Sequence, residues 1–326
     1  MAIEAAADAG PGRGPRLAVI DLVRGAAIAA MVVYHAAYDL SVERLIAANV
    51  GEDRGWVVFA RLIAGTFLLL VGVNLVLATR RGFRRTPFLR RLAIVVAAAG
   101  LVTLATWWAV PDGFVFFGIL HQIALASVLA LPFLRLPSGA VALVAVAVIA
   151  APVFFRHPLF DAWPLLWVGF TAEPPDTIDY VPLFPWFGVV LAGIVVGRLI
   201  ASRVTGTVAD WRPRARFARL VTAAGRWSLA IYLIHQPVLL ALLWIAQPLL
   251  ASSETVARRH FMEDCVAVCR TEGRDEATCT AFCTCMFDGL YATDLYAARS
   301  LQLLTPEQRG RWDATVASCA PASPAP

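Results

Sequence analysis

Long runs of apolar residues alternate with short polar segments along the first three quarters of the chain. Seven of these runs approach or reach the roughly 20 residues that a helix needs to cross the hydrocarbon core of a bilayer. They lie at approximately residues 17–38, 56–78, 92–109, 114–134, 140–155, 182–200 and 227–250. The pattern predicts an all-α fold, a polytopic membrane helix bundle of about seven transmembrane helices followed by a small disulfide-rich helical tail.

The composition supports a membrane protein. Hydrophobic residues make up 59% of the 326 residues, charged residues make up only 16%, and the mean hydropathy is +0.69. A soluble domain would not reach these values, so we expect a multi-pass protein whose main surroundings are the lipid bilayer. We expect no nucleic-acid partner, and the sequence leaves homo-oligomerisation open.

Positive charge is concentrated in two of the polar segments. Residues 80–91 contain six arginines and no acid, and residues 203–226 contain six arginines and one aspartate. Residues 156–181 have the opposite balance, with four acids against one arginine. Because cytoplasmic loops are enriched in basic residues, both arginine-rich segments should be cytoplasmic, with the N-terminus inside and the C-terminus outside.

The chain divides into three predicted regions. Residues 1–15 are rich in Ala, Gly and Pro and are predicted to be disordered. Residues 16–253 form the transmembrane domain, and residues 254–326 form a Cys-rich extracytoplasmic tail. Residues 1–253 carry 21 arginines against 13 acids, whereas the tail carries 7 against 10. This asymmetry indicates two compartments or two kinds of partner.

All six cysteines fall in the tail. The first and second are four residues apart, as are the third and fourth, so each pair shares a helix face. Gly273 lies between the pairs and suits the turn of a helical hairpin that would bring the two faces together. Six cysteines allow fifteen connectivities. Among them we favour Cys265 with Cys283, Cys269 with Cys279, and Cys285 with Cys319.

A disulfide framework and an external tail support each other, because disulfides form in oxidising compartments. A zinc site is the competing interpretation of the same cysteines. Their spacing is unlike that of a zinc ribbon or finger, and His260 is the sole imidazole close to them in the sequence. We therefore expect no metal.

The first apolar run carries four ionisable residues, Asp21, Arg24, His35 and Asp39. Such groups are costly inside a membrane and usually face a protein interior or a wet cavity, where they mark function. Arg24 and His35 are eleven residues apart, which brings them to nearly the same side of a helix with a rise of about 16 Å between them. Asp21 and Asp39 lie three and four residues from them, within reach of a side-chain contact.

A structural interpretation of the same residues stays open. Asp21 and Arg24 can be an ion pair at the start of the helix, and His35 can be a hydrogen-bonded polar group near its end. Gly25 and the alanines around it favour the functional interpretation, because they leave a thin surface on which another helix or a ligand can approach closely.

Three stretches carry a family resemblance: RLAVIDLVRGAAIAAMVVYHAAYDL from residue 16, FFGILHQIALASVLALPF from residue 116 and SLAIYLIHQPVLL from residue 228. Over about residues 16–250 the chain resembles the bacterial branch of the heparan-α-glucosaminide N-acetyltransferase catalytic-domain family, which belongs with the transmembrane acyltransferases. The family's first-helix signature Asp-x-x-Arg-Gly is matched by Asp21, Arg24 and Gly25. The Arg-x10-His arrangement of related membrane O-acyltransferases is matched by Arg24 and His35.

The resemblance implies transfer of an acyl group, in particular an acetyl group, from cytoplasmic acyl-CoA to an amine or hydroxyl of an extracytoplasmic sugar or glycan. It also implies the bacterial inner membrane, with the tail in the periplasm. With Asp21 beside it, Arg24 would then lie along the pantetheine arm of acetyl-CoA. The nucleotide phosphates would be held by Arg81, Arg84, Arg85, Arg212 and Arg214. Each of these five can equally be a topology determinant.

Within this hypothesis His35 acts as the general base toward the acceptor, or briefly carries the acyl group, and Asp39 orients it. His121, at a comparable depth in the fourth run, is the second catalytic candidate, as a proton relay or an oxyanion donor. For His235, in the last run, an interhelical hydrogen bond is the favoured role.

Two other function classes stay open. A transporter or flippase also places ionisable groups within its spans, although the sequence shows no internal repeat of the kind that marks many transporters. Alternatively, the apolar part is an anchor and the Cys-rich tail is the functional binding module.

Overall fold

The computed structural model describes residues 17–43, 45–46, 48–80, 82–203, 211–251, 254–291, 295 and 305–319, apart from the side chains of 203, 247–251, 254–257 and 260. The predicted disordered segment 1–15 and Arg81 lie outside the described residues.

The described part of the chain is all-helical, without a β-strand. Short 3-10 turns, such as Pro111–Gly113 and Pro132–Arg135, join some of its α-helices. The α-helices are α1 Ala18–Val42, α2 Arg54–Thr79, α3 Arg85–Ala109, α4 Ile119–Leu129, α5 Ser138–Phe154, α6 Leu183–Arg203, α7 Arg216–Arg226, α8 Ser228–Ala251, α9 Glu254–Thr271, α10 Glu276–Tyr291 and α11 Pro306–Cys319.

Five of the described helices are long and apolar enough to cross a membrane, namely α1, α2, α3, α6 and α8. The other two predicted spans correspond to shorter helices. Helix α4 has 11 residues and α5 has 17. The apolar run 114–134 does not form one helix. Gly118 has an extended backbone before α4, and Pro132 begins a separate 3-10 turn after it.

The chain forms two compact units, which we describe separately. The first unit contains the residues up to Ala36 together with Val50–Gln236, and the second contains Ala37–Asn49 together with Pro237–Pro326. The helices α2 to α7 therefore belong to the first unit, and α9 to α11 to the second.

The core of the first unit is the packing of α2 and α5 against α6. Leu68, Val190, Leu191 and Ile194 are fully buried there. Glycines let α2 and α6 approach at backbone distance, since a Cβ atom at Gly72 would lie 2.1 Å from a carbonyl oxygen of α6. Such small residues permit close helix contacts in membranes, where no hydrophobic driving force brings helices together.

Helix α7 meets the start of α1 in the same way. A Cβ atom at Gly25 would lie 1.8 Å from the Val221 carbonyl oxygen, and one at Gly225 would lie 1.8 Å from the Asp21 carbonyl oxygen. The small surface predicted around Gly25 is thus confirmed as a place of close helix approach. The sequence did not predict α7 itself, because its arginines suggested only a cytoplasmic segment.

In the second unit, disulfides join α9, α10 and α11. Helix α9 is linked to α10 by Cys265–Cys283 and Cys269–Cys279, and α10 is linked to α11 by Cys285–Cys319. These are the three predicted pairings, and they leave no thiolate for the alternative zinc site. Gly273 has a φ of 80° in the turn between α9 and α10, as the hairpin interpretation requires.

Candidate active site

The first turns of α1 carry a partly buried ion pair. Arg24 Nη1 lies 3.1 Å from Asp21 Oδ1, one turn earlier on the helix, and 3.5 Å from the Gly225 carbonyl oxygen. Arg226, at the end of α7, places its Nε 3.6 Å from Asp21 Oδ2. The close approach of Gly25 and Gly225 therefore brings two guanidiniums to one carboxylate.

A third guanidinium adds to this charge. Arg91, in the second turn of α3, lies close enough to Arg24 for the two positive charges to repel each other. No carboxylate lies within ion-pair distance of Arg91 in the part of the chain that the structure describes. We call Arg24, Arg91 and Arg226 the arginine cluster. With Asp21 as its sole carboxylate among the described residues, the cluster carries two excess positive charges.

Further along α1, His35 lies beside His235 of α8. The centroids of the two imidazole rings are 4.9 Å apart, with an angle of 60° between the ring planes. Tyr34 and Tyr232 flank this histidine pair, at 5.6 Å from His35 and 5.8 Å from His235 respectively. Two nitrogen bases thus meet on helices that start 210 residues apart in the sequence.

The tautomer of His235 follows from its backbone contact. Its Nδ1 lies 2.7 Å from the carbonyl oxygen of Tyr232, one turn earlier on α8. Because a carbonyl oxygen can only accept, Nδ1 carries the proton and donates it. In the neutral ring, the basic lone pair is therefore on Nε2.

Tyr232 also connects α8 to the loop that precedes α6. Its hydroxyl donates to the carboxylate of Asp179, and Asp179 Oδ2 accepts the backbone N–H of Ile119 at 3.0 Å. This N–H is among the first in α4, whose first four lack a partner within the helix. Removal of the carboxyl from water raises the pKa of Asp179 to about 6, although its hydrogen bonds to Ile119 and Tyr232 act in the opposite direction.

Gly118 makes room for the Asp179 carboxylate. A Cβ atom at residue 118 would lie 2.3 Å from Asp179 Oδ2, so a side chain there would displace the carboxylate. Hydrogen bonds hold the two segments together, since Ile178 N–H donates to the Gly113 carbonyl at 3.0 Å and Val181 N–H donates to the Phe117 carbonyl at 3.1 Å.

His121 stabilises the start of α4. Its Nδ1 accepts the N–H of Gly118 at 3.3 Å, so its Nε2 carries the proton and faces Thr103 Oγ1 at 3.2 Å. The Thr103 hydroxyl in turn donates to the Val115 carbonyl at 2.7 Å. Both ring nitrogens are thus engaged, which favours a capping role for this predicted catalytic residue.

The structure places the other predicted site residues as follows. Asp39 is buried near the end of α1 and belongs to the second unit. Four of the five arginines predicted to bind phosphate are exposed: Arg84, Arg85, Arg212 and Arg214. Among the described residues, no group of three or more His, Cys, Asp or Glu side chains lies close enough together to hold a metal ion.

Sequence reasoning missed four residues of these clusters. Arg91 and Arg226 were counted only as charges that set the topology, and Asp179 only as one acid of an acidic loop. Tyr232 precedes His235 by three residues, so the two share a helix face, and this spacing was the one available signal. Nothing in the sequence relates either residue to Asp179.

This arrangement can support proton transfer and anion binding. The histidine pair offers a nitrogen base within a largely apolar bundle, and the arginine cluster offers excess positive charge at the other end of the same helix α1. The separation of Arg24 and His35 along the helix axis is about 16 Å.

The comparisons with known proteins agree with this chemistry. The family described as heparan-alpha-glucosaminide N-acetyltransferase, catalytic, matches residues 16–237. This range contains the arginine cluster, the histidine pair, Tyr232 and Asp179. No curated protein and no solved structure matches the chain. Since the family match covers more than half of the chain, the protein belongs to the heparan-alpha-glucosaminide N-acetyltransferase catalytic family and is by that membership a membrane acyltransferase.

Proposed function

We propose that the protein transfers an acetyl group from acetyl-CoA, bound from the cytoplasmic side, to an amine or hydroxyl of a sugar or glycan on the other side of the membrane. The observation that carries this proposal is the histidine pair, His35 with His235, on the helix whose start carries the arginine cluster. One helix thereby connects a site for an anionic donor with a base for the acceptor.

The charge distribution supports this orientation. The arginine-rich segments 80–91 and 203–226 belong on the cytoplasmic side by the positive-inside rule, which puts the N-terminus inside and the start of α1 near the donor. The disulfides of the tail then lie in an oxidising compartment. We propose the bacterial inner membrane as the location, with residues 254–326 in the periplasm.

The arginine cluster is the proposed site for the phosphates of acetyl-CoA. Its positive charges lie on half-buried Arg24 and on exposed Arg91 and Arg226, where an anionic ligand can form charge-assisted contacts. Exposed Arg84, Arg85, Arg212 and Arg214 extend the positive surface on the same predicted side, and we propose that they contact the nucleotide with Arg81. The pantetheine arm then spans the distance toward His35.

Catalysis requires a base at the acceptor. In the proposed reaction the acceptor nitrogen or oxygen attacks the carbonyl carbon of the thioester while an imidazole of the histidine pair takes its proton. The bond between carbon and sulfur breaks, and CoA leaves as the thiol after receiving a proton. We propose that His35 is this base, or that it briefly carries the acyl group itself. Asp39 is the residue proposed to orient His35.

The decisive experiment measures release of CoA by the purified protein with acetyl-CoA as donor and glucosamine as acceptor probe. A thiol reagent reports only CoA, because all six cysteines are in disulfides. We expect His35→Ala to abolish the release, whereas Arg24→Ala raises the Kd for acetyl-CoA. Retained activity of His35→Ala would refute the assignment of the base.

Two matched variants control this experiment. His157 lies in the 156–181 loop, where its Nδ1 accepts the Leu159 N–H at 3.1 Å, and His157→Ala should leave the release of CoA unchanged. Arg156 begins the same loop and donates through its Nε to the Pro152 carbonyl at 3.1 Å, and Arg156→Ala should leave acetyl-CoA binding unchanged. A transporter would instead bind or move the acceptor. Any release of CoA would then not depend on the acceptor concentration.

A further inference from the structure

We propose that Asp179 and Tyr232 are positioning residues of the acyl transfer, because together they fix the ring of His235 beside His35. This inference rests on the proposed function and adds two residues to it. Tyr232 contacts the histidine pair through its backbone carbonyl, which accepts Nδ1–H of His235, and neither the Tyr232 side chain nor Asp179 is assigned a part in the chemical step.

The first step of the argument concerns Tyr232, which is held at both ends. Its hydroxyl donates to Asp179, and its backbone carbonyl accepts Nδ1–H of His235 at 2.7 Å. Tyr232 lies in the second turn of α8, and its side chain reaches from that turn to Asp179. The hydroxyl contact therefore fixes the rotation of this turn about the helix axis, and with it the direction of the His235 ring.

The second step concerns what holds Asp179. Its carboxylate is tied to the start of α4 through the Ile119 N–H, and the residues on either side of it are tied to segment 113–117 through two backbone hydrogen bonds. Gly118 allows the carboxylate to approach this closely. Asp179 therefore fixes the position of α8 relative to α4 through its hydrogen bonds to both helices.

The third step connects this position to the reaction. The ring of His235 lies 4.9 Å from that of His35, and its fixed tautomer places the basic lone pair on Nε2. The proposed base is His35, whose ring packs against that of His235, so a shift of the His235 ring also shifts the base. A base must lie within hydrogen-bond reach of the proton that it removes, and a displacement of about 1 Å can cost a factor of about 100 in rate. Loss of the anchor should therefore lower kcat more than it changes KM.

The kinetic test compares Tyr232→Phe with Tyr180→Phe in the CoA-release assay. Tyr180 lies in the same loop as Asp179, and its hydroxyl donates to the Leu166 carbonyl at 2.5 Å without any contact to the histidine pair. We expect Tyr232→Phe to lower kcat by a factor of about 10 to 100 with KM for acetyl-CoA changed less than about twofold. Tyr180→Phe should keep the wild-type kcat.

A conservative rescue separates positioning from stability. Asp179→Asn keeps a side-chain oxygen that can accept from Ile119 or Tyr232 and should retain most of kcat, whereas Asp179→Leu removes the acceptor and should match Tyr232→Phe. Equal kcat values for Asp179→Leu and the wild type would overturn the proposal. So would a loss in Tyr232→Phe that raises KM for acetyl-CoA as strongly as it lowers kcat.

A second readout does not depend on turnover. The protein has five histidines, so nitrogen resonances of 15N-histidine-labelled protein in detergent can be assigned by substitution, with His235→Gln identifying those of His235. We expect an unprotonated Nε2 in the wild type and a shift of both His235 resonances in Tyr232→Phe but not in Tyr180→Phe. Unchanged His235 resonances in Tyr232→Phe would refute the positioning role.

The two proposals fail in different ways. If the wild-type protein releases no CoA from acetyl-CoA, the proposed acyl transfer is refuted. The positioning role in that reaction is then refuted as well, even if the His235 resonances shift as expected. If the wild type is active and His35→Ala is inactive, but Tyr232→Phe is fully active, the acyl transfer stands and the inference alone is refuted.

Discussion

Asp179 gives a quantitative prediction about the stability of the protein. Its carboxyl lies in the loop before α6, and its removal from water raises its pKa from 3.8 to about 6. A carboxyl whose pKa is raised by folding costs stability once it ionises, because the folded protein holds its proton more tightly than the unfolded chain does. The substitution Asp179→Asn removes this cost without removing the acceptor oxygen.

The sign and size of the effect follow from the two pKa values. Below about pH 4 the carboxyl is protonated in both states and costs nothing. Between pH 4 and 6 the unfolded chain releases its proton first, so the free energy of unfolding falls as pH rises, and above pH 6 the loss is constant. A rise from 3.8 to about 6 corresponds to at most about 3 kcal/mol.

The assay is thermal unfolding of the wild type and Asp179→Asn in the same detergent from pH 4 to 8, followed by tryptophan fluorescence. We expect the variant to gain stability relative to the wild type as pH rises, with a difference that reaches up to several degrees at pH 7, at about 2 to 4 °C for each kcal/mol. Asp176→Asn, at an exposed acid of the same loop, should show no such trend. A difference between Asp179→Asn and the wild type that does not change with pH would refute the reasoning.

Three further predictions concern packing and cross-links. Gly25→Ala should lower the stability of the protein by at least about 1 to 3 kcal/mol, because its Cβ would overlap the backbone of α7, whereas Gly55→Ala meets no atom within 4 Å and should be tolerated in the same melts. The double substitution Cys269→Ala with Cys279→Ala should cost the tail about 3 kcal/mol, as measured by denaturant unfolding of the full chain under non-reducing conditions, and an unchanged unfolding midpoint would contradict it. Gln122 is fully buried, and both polar atoms of its side chain lack a hydrogen-bond partner among the described residues, so Gln122→Met should raise the melting temperature; a lower one would show that the amide is needed.

The tail shows how far local spacing can predict structure. Two pairs of cysteines at helical spacing lie on either side of the turn at Gly273. When two helices fold back at this turn, the two cysteines nearest to it face each other, and so do the two cysteines farther from it. Cys265–Cys283 and Cys269–Cys279 were predictable for this reason, and Cys285–Cys319 followed only as the pair that remained. The helices α9 and α10 followed from the same spacing, since their contact depends on residues close together in the sequence.

The histidine pair shows a contact that local spacing cannot predict. Periodicity predicted α1 and α8 as apolar helices and placed Arg24 and His35 on one side of α1. Which residue of α8 would face His35 depends on the rotation of α8 and on its offset along α1, and hydrophobic pattern leaves both free in a helix that is apolar all round. An interhelical hydrogen bond was expected for His235, whereas the structure shows a ring contact with His35 of α1 and a hydrogen bond to the Tyr232 carbonyl within α8.

The short helix α4 has a different cause. An apolar run of 21 residues predicted a full span over 114–134, yet only 119–129 is α-helical. The extended segment before Gly118 forms backbone hydrogen bonds with residues 177–181 instead of helical ones. Irregular backbone among membrane helices is tolerated only where other protein groups or water satisfy it, so the break needs a distant partner that the run itself does not reveal.

The segment 177–181 that pairs with this extended backbone also contains Asp179, whose carboxylate needs an explanation of its own. Capping the N-terminus of α4 requires only a side-chain oxygen, which Asn, Ser or Thr supplies without a buried charge. Asp179 instead holds an acid whose ionised form destabilises the folded protein, and it directs that carboxylate to the hydroxyl of Tyr232. Titratable groups with raised pKa values and a specific partner cluster at functional sites, where activity offsets a stability cost. In the proposed function, an acceptor at residue 179 that contacts the residue holding His235 is therefore explained by the position of that ring, and Asp179→Asn, which keeps the oxygen and loses the charge, tests whether the oxygen is sufficient.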